Sequence, residues 1–247
     1  MTTSKTAPER AMVLAAGRGE RMRPLTDKTP KPMIEVRGRA MIDRVLDRLA
    51  AAGVKKAVVN LHHLGDQIER HLAARRGPSV VFSHEAELLD TGGGVTKALP
   101  ELGKLPFFAL NGDVVWLDGG SPALERLAAA WDGAAMDVLL LLHPTAYAHG
   151  YHGAGDFFMS PEGQLRRRRE REVAPFIFAG IQILHPRIFQ DVPTGAFSLN
   201  LVYDRAAEAG RLWGLRHDGE WFHVGTPEAL GEVENALHHM TLGAVQR

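Results

Sequence analysis

The amino-acid sequence predicts a three-layer α/β fold, with a mostly parallel central sheet between helices and a small antiparallel addition. Two observations carry this reading. Short apolar runs rich in Val, Ile, Leu and Phe alternate with segments of helical period as far as residue 143, and strands separated by helices pair in parallel. After Pro144 the rhythm changes to glycine turns and shorter strand-like pieces, which suit antiparallel strands beside the main sheet.

The elements follow in order. Ala11 to Ala15 is a buried strand. From Met41 to Ala52, Ile42, Val45, Leu46 and Leu49 recur with a helical period, and Gly53 stands where a C-terminal glycine cap belongs. Lys56 to Asn60 reads as a strand, Leu64 to Ala74 as a helix and Val80 to Ser83 as a strand. A glycine loop at Gly92–Gly94 then leads into a short helix to Leu99. Phe107 to Leu110 is a buried strand ending in Asn111-Gly112-Asp113, followed by a helix, Ala123 to Trp131, and a strand, Met136 to Leu142. Beyond it, Asp156–Met159 and Phe176–Leu184 are strand-like, Ser198 to Ala209 is helical, and Arg211 to Leu215 and Trp221 to Val224 are strands. Thr226-Pro227-Glu228 opens a last helix with a capping hydroxyl, a proline in the first turn and a carboxylate on the positive dipole end. Residues 1–10 read as a flexible lead-in, and residues 11–247 as one domain without repeats or a linker.

Composition narrows the function. The 247 residues are 45% hydrophobic and 23% charged, as in an ordinary globular protein. No apolar run approaches the ~20 residues that cross a bilayer, and the N-terminus lacks the apolar core of a signal peptide. With no cysteine there are no disulfides, thiolate metal sites or cysteine nucleophiles, which fits a cytoplasmic protein. Lys+Arg 29 balance Asp+Glu 29, so no general affinity for nucleic acid or anionic membrane is expected. Any strongly basic loop must therefore serve a local anion.

Such a loop is MVLAAGRGERMRPLTDKTPKPM, Met12 to Met33. Gly17 and Gly19 free the backbone to turn several N–H groups toward one anion, Arg21 and Arg23 add charge, and Lys31 is a cation stiffened between Pro30 and Pro32. Two phosphate-binding motifs are absent. Met22 occupies the third-glycine position of a dinucleotide fingerprint, and no Gly-Lys-Ser/Thr follows. Taken alone, the loop leaves a solvated turn with scattered cations open. Asp113 follows a buried strand, at the sheet edge where α/β proteins place ligands, and its carboxylate suits a magnesium ion; a plain turn aspartate is the alternative.

LAAGRGERMRPLT followed by TPKPM resembles the signature of the sugar-1-phosphate nucleotidyltransferases, Gly-x-Gly-x-Arg, then Pro-x-Thr, then Pro-Lys-Pro, with Glu20 where many members carry Thr. The resemblance continues through LDTGGG (Leu89–Gly94), LNGDV (Leu110–Val114), HGAGDF (His152–Phe157), FAGIQILHP (Phe178–Pro186) and WFHVGTPEAL (Trp221–Leu230). Among subfamilies it is most similar to the N-acetylmuramate-1-phosphate uridylyltransferases, and the mannose-1-phosphate guanylyltransferases share most of these motifs. It implies a Rossmann-like nucleotidyltransferase fold, with a nucleotide half at about 11–143 and a sugar-phosphate half at about 144–247. The implied reaction joins UTP, or another nucleoside triphosphate, to a sugar 1-phosphate in a monomer or small homo-oligomer. A catalytically weak nucleotide-binding regulator is the reading of another class.

The implied roles fall on particular residues. Arg21 and Lys31 would stabilise phosphate charge and Asp113 would hold Mg²⁺, because in-line phosphoryl chemistry is mostly positioning and charge stabilisation. Leu14, Ala15, Ala16, Gly17, Gly19, Gly92, Gly93 and Asn111 would bind the nucleotide, with the acids Glu85 and Asp90 nearby as base-contact or solvated loop residues. Asp156, Gly155, Glu172 and Asn200 would meet the sugar, and His152 is a weaker candidate. His223 departs from the pattern, since the family places an acidic second metal ligand there. Imidazole suits Mn²⁺ or another divalent ion better than Mg²⁺. Metal ligation, phosphate contact, or a site held by Asp113 alone are the three outcomes. The Arg166–Arg169 run reads as a solvated hairpin face, and His62-His63 and His238-His239 as surface pairs.

Overall fold

The computed structural model describes residues 7–245. The first half contains β1 (Arg10–Leu14), β2 (Glu35–Val36), β3 (Arg39–Ala40), α1 (Met41–Ala51), β4 (Lys56–Leu61), α2 (Gly65–Leu72), β5 (Ser79–His84), α3 (Asp90–Leu102), β6 (Phe107–Asn111), β7 (Val115–Leu117) and α4 (Ala123–Ala130). The second contains β8 (Val138–Pro144), β9 (Phe157–Met159), β10 (Leu165–Arg167), β11 (Phe176–Leu184), α5 (Leu199–Glu208), β12 (Leu212–Arg216), β13 (Glu220–Phe222) and α6 (Pro227–Val245).

One nine-stranded sheet runs through both halves. β1 lies between β4 and β6, parallel to both, and β5 extends the parallel set beyond β4. The side-chain period of two makes three layers of it. Ala11 and Val13 of β1 pack toward α1, α2 and α4, while Met12 packs with Val95, Ala98 and Leu102 of α3 and Val202 and Ala206 of α5. The antiparallel addition is more deeply inserted than expected. β11 pairs antiparallel with β6 and with β8, so it lies inside the sheet, and β12 then pairs in parallel with β8. The short β9–β10 hairpin hangs on the other end of β11.

A smaller apolar cluster lies under the basic loop. Met22 and Ile34 from the loop, Met41, Phe222, and Val233 and Leu237 from α6 are all buried there. The last helix therefore braces the loop from behind. Its Thr226 cap forms as expected, the Oγ1 accepting from Ala229 N at 3.2 Å.

Three expectations need correction. The Gly92–Gly94 stretch is no loop: it forms the first turns of α3, which continues to Leu102. Glycine's poor helix propensity is overridden here because only a bare backbone fits the neighbours. The hairpin β2–β3 and the strand β7 were not predicted, being two or three residues long with no room for a period. Residues 9 and 10 also do not belong to a flexible lead-in. Residues 1–6 lie outside the described residues, but Glu9 O already accepts from Lys55 N and Lys56 N, and Arg10 starts β1.

Candidate active site

The chain leaves β1 for β4 and β5 on one side and returns through β6 on the other, so the order of the sheet reverses between β1 and β6. A crevice opens outside the carboxyl ends of strands at such a reversal. Leu14 pairs with Asn111 at that edge, and Gly112 N donates to Leu14 O at 2.8 Å, which locks the two strand ends together. Leu14, Ala15, Ala16, Gly17, Gly19, Lys31, Asn111 and Asp113 all line one cavity of about 450 Å³, together with Asn60, Leu88, Asp90 and Thr91.

The loop keeps its shape through a few contacts. Gly19 takes a left-handed conformation at φ 63°, and a Cβ there would lie 2.9 Å from Thr26 Cγ2 and 3.0 Å from Lys31 Cβ. Buried Thr26 donates its hydroxyl to Gly19 O at 2.9 Å, and the His63 ring donates to Thr26 O at 2.9 Å. His62 likewise meets Glu85 O at 3.0 Å, so both members of the His62-His63 pair are half-buried struts, not surface residues. His238 and His239 are exposed, as expected.

Three cavities meet at Lys31. Besides the first, it lines one of about 440 Å³ with Arg18, Gly19, Glu20, Arg21 and Gly225, and a smaller one of 190 Å³ with Arg21, Asn111, Asp113 and His223. Lys31 Nζ is paired with Asp113 Oδ2, and both side chains are largely shielded from solvent. Arg21 is exposed, and among the described residues it has no hydrogen-bond or ion-pair partner. Arg23 is engaged with Asp27 at 3.3 Å on the outer surface. The cavities around Lys31 thus hold one cation masked by a carboxylate and, in Arg18 and Arg21, two cations without an ion-pair partner among the described residues.

His223 faces Arg21, Lys31 and Asp113 across the smallest cavity. Burial, with Lys31 and Arg21 beside it, pushes its imidazole below the ordinary histidine value against the opposing pull of Asp113. The ring is therefore neutral near pH 7. Tyr151 stands edge-on to it at 5.9 Å between ring centroids and accepts Gly155 N on its hydroxyl at 2.9 Å. Tyr151 had no sequence signal.

Other candidates lie outside these cavities. The N–H groups of Gly92 and Gly93 both point at Phe197 O, at 2.8 and 3.2 Å, and a Cβ at Gly92 would strike the Phe197 ring at 2.4 Å. Their amides are spent on packing α3 against the 195–197 segment. Asp156 Oδ2 accepts Phe178 N at 2.9 Å, and burial pushes its carboxyl upward. Gly155, at φ 73°, passes so close to Ala174 that a Cβ would lie 2.1 Å from its carbonyl oxygen. Glu172 is bound to Arg166 at 2.7 Å and to Arg169 N at 2.8 Å. Asn200 is exposed on α5, its carbonyl accepting from Arg167. The arginine run is thus a hairpin network, with Arg167 also paired to Asp204 and Arg166 lying over the Phe158 ring at 4.2 Å.

A crevice at the sheet reversal, walled by a glycine loop with cations and by a carboxylate, has the donors that a phosphate-binding site needs. Comparison with known proteins gives the family. Residues 11–158 match the model of the MobA-like NTP transferase domain. Over 236 residues the chain is 46% identical to an N-acetylmuramate alpha-1-phosphate uridylyltransferase of Caulobacter vibrioides, covering 94% of this chain and 98% of that protein. It is 35% identical over 229 residues to the enzyme of the same name from Neisseria meningitidis serogroup B, covering 91% of this chain and 96% of the other. The fold matches a crystal structure of UDP-glucose pyrophosphorylase complexed with UDP-glucose at a TM-score of 0.74 and 16% identity, covering 94% and 99% of the two chains. The chain belongs to the MobA-like NTP transferase family and, within it, to the sugar-1-phosphate nucleotidyltransferases.

Proposed function

We propose that this enzyme transfers uridylyl from UTP to N-acetylmuramic acid 1-phosphate, giving UDP-N-acetylmuramic acid and pyrophosphate in peptidoglycan recycling. The single observation that carries the choice of substrates is the 46% identity, over nearly the whole of both chains, to a uridylyltransferase of that name. The cleft suits the chemistry. A sugar phosphate oxygen forms the new bond to the α-phosphorus, the bond to the bridging β-phosphate oxygen breaks, and pyrophosphate leaves with that electron pair. The nucleophile is already an anion, so the task is to hold two anions together and stabilise the leaving charge. The Gly17–Gly19 backbone and Arg21 would hold the β- and γ-phosphates, and Lys31, which lines all three cavities, would reach the α-phosphate or the incoming sugar phosphate. Leu14, Ala15, Ala16 and Asn111 would line the nucleoside end, with Asp156 and Gly155 on the sugar side.

Asp113 would hold a divalent cation. Among the described residues no group of three or more ligating side chains exists, and a donor set of one carboxylate fits a cation that arrives with phosphate oxygens and water. When bound, such an ion neutralises charge on the triphosphate. His223 offers a neutral nitrogen in the same cavity, and a switch of preferred ion between Mg²⁺ and Mn²⁺ in His223→Asp would identify it as a ligand. No described helix is long and apolar enough to cross a membrane, and we place the reaction in the cytoplasm.

The deciding experiment measures pyrophosphate release from four nucleoside triphosphates crossed with a panel of sugar 1-phosphates. Release confined to UTP with N-acetylmuramic acid 1-phosphate is the expected result. Release with GTP and mannose 1-phosphate instead would replace it.

A further inference from the structure

One buried pair joins the two walls of the nucleoside end, and the reaction as described does not use it. Asn60, at the end of β4, and Glu85, just past the end of β5, are 2% and 5% exposed. Asn60 Oδ1 accepts the N–H of Ala15 at 2.7 Å, and Asn60 Nδ2 donates to Glu85 Oε1 at 2.7 Å. Glu85 Oε2 then accepts the N–H of Leu89 at 3.0 Å. Ala15 lies on the β1 wall of the cavity, and Leu89 sits between the lining residues Leu88 and Asp90. Each donor has one acceptor in this chain and the carboxylate accepts at both oxygens, so the orientation of the Asn60 amide is fixed. Gly94 completes the fit: a Cβ there would lie 2.8 Å from both Asn60 Nδ2 and Glu85 Oε1. The third glycine of the triplet is therefore the space in which this pair sits.

We infer that Asn60 and Glu85 are positioning residues that set the distance between the two walls of the nucleoside end, and so govern nucleoside triphosphate binding more than transfer. This rests on the nucleotide occupying that cavity. The cations and Asp113 stand at the phosphate end, attached to neither residue, so the pair acts on KM for the nucleotide and leaves the phosphate machinery in place.

The polarity of the chain supplies the test. Asn60→Asp alone sets one carboxylate against another, and Glu85→Gln alone sets an amide N–H₂ against a donor, either Asn60 Nδ2 or Leu89 N. Together the two substitutions restore every bond with the Asn60–Glu85 link reversed. The carboxylate at position 60 accepts from Ala15 N and from the new amide at 85, whose oxygen accepts from Leu89 N. Steady-state kinetics with UTP and the sugar phosphate varied separately, together with direct UTP binding by calorimetry, read the outcome. Each single variant is expected to raise KM and Kd for UTP about tenfold or more. KM for the sugar phosphate should stay within about twofold and kcat within about threefold, and the double variant should recover most of the UTP affinity. Singles that keep UTP affinity, or that lower kcat and both KM-based efficiencies alike without recovery in the double variant, overturn the inference. Wild-type protein that binds no UTP overturns the nucleotide reading itself, and the two failures are thereby distinguished.

Discussion

Two glycine-rich segments, Gly17–Gly19 and Gly92–Gly94, look alike in the sequence and differ in what surrounds them. A Cβ at Gly17 would meet nothing within 4 Å, whereas one at Gly93 would lie 2.3 Å from Gly195 O. The first segment opens on a cavity at Gly17, while Gly19 packs closely against Thr26 and Lys31. The second is helical, and its amides and its missing side chains serve the contact with residues 195–197 and with Asn60 and Glu85. A glycine cluster thus marks close approach of something to backbone, and only the fold reveals whether that something is a ligand or another part of the chain.

Substitutions can break this contrast. The largest effect is expected at Lys31: Lys31→Ala should lower kcat/KM by about 10²–10³, as for loss of one preorganised charge-stabilising group. Activity near wild type would remove Lys31 from the site. Gly93→Ala comes next. It should cost about 1–3 kcal/mol by overpacking against the Gly195 carbonyl, read as a lower denaturation midpoint, with UTP affinity per folded molecule retained. Gly17→Ala is the smallest change, within about 0.5 kcal/mol of wild type in stability. If it destabilises as much as Gly93→Ala, the two segments are not different in kind.

Acidity probes a set of buried and half-buried histidines outside both glycine segments. His143, His185, His217 and His223 are all pushed below the ordinary histidine value, chiefly by burial, so the folded chain binds fewer protons than the unfolded one at mildly acid pH. Stability should hold above an unfolded-state value of about 6.5 and fall as the pH drops through it toward the lower folded-state values. Thermal melts between neutral pH and mildly acid buffers check this, and a flat profile would contradict it. None of these histidines lies in either glycine segment, so Gly17→Ala and Gly93→Ala should leave the slope alone.

Much of this was legible in the sequence, for physical reasons. β11 was placed at its observed limits, Phe176–Leu184, because a long apolar run bounded by proline and His-Pro has one reading. α1 was nearly so, and its Gly53 adopts the left-handed cap at φ 82°. The convergence of Gly17, Gly19, Lys31, Asn111 and Asp113 was expected from the motif resemblance, with the end of a buried strand pointing independently to Asp113. What stayed hidden was set by tertiary contact. Nothing local distinguishes a glycine helix turn from a glycine loop, and nothing local pairs Asn60 with Glu85, since that bond depends on β4 and β5 ending side by side. The sugar side was the least readable. Glu172 and Asn200 were chosen as polar residues near the right motifs, and the fold spends them on the arginine hairpin and the α5 surface.

The bond between Lys31 and Asp113 has a further consequence. Each partner offers the other an opposite charge, the carboxylate where a phosphate would serve Lys31 and the ammonium where a cation would serve Asp113. Neither charge therefore waits naked, and the desolvation of both has already been met during folding. Substrate entry is then a change of partners. On the proposed reaction, a triphosphate at Lys31 would free Asp113, Asp113 would then be open to a cation, and each event would lower the cost of the other. The cleft should consequently favour the two together over either alone, a cooperativity built from a single lysine and a single aspartate.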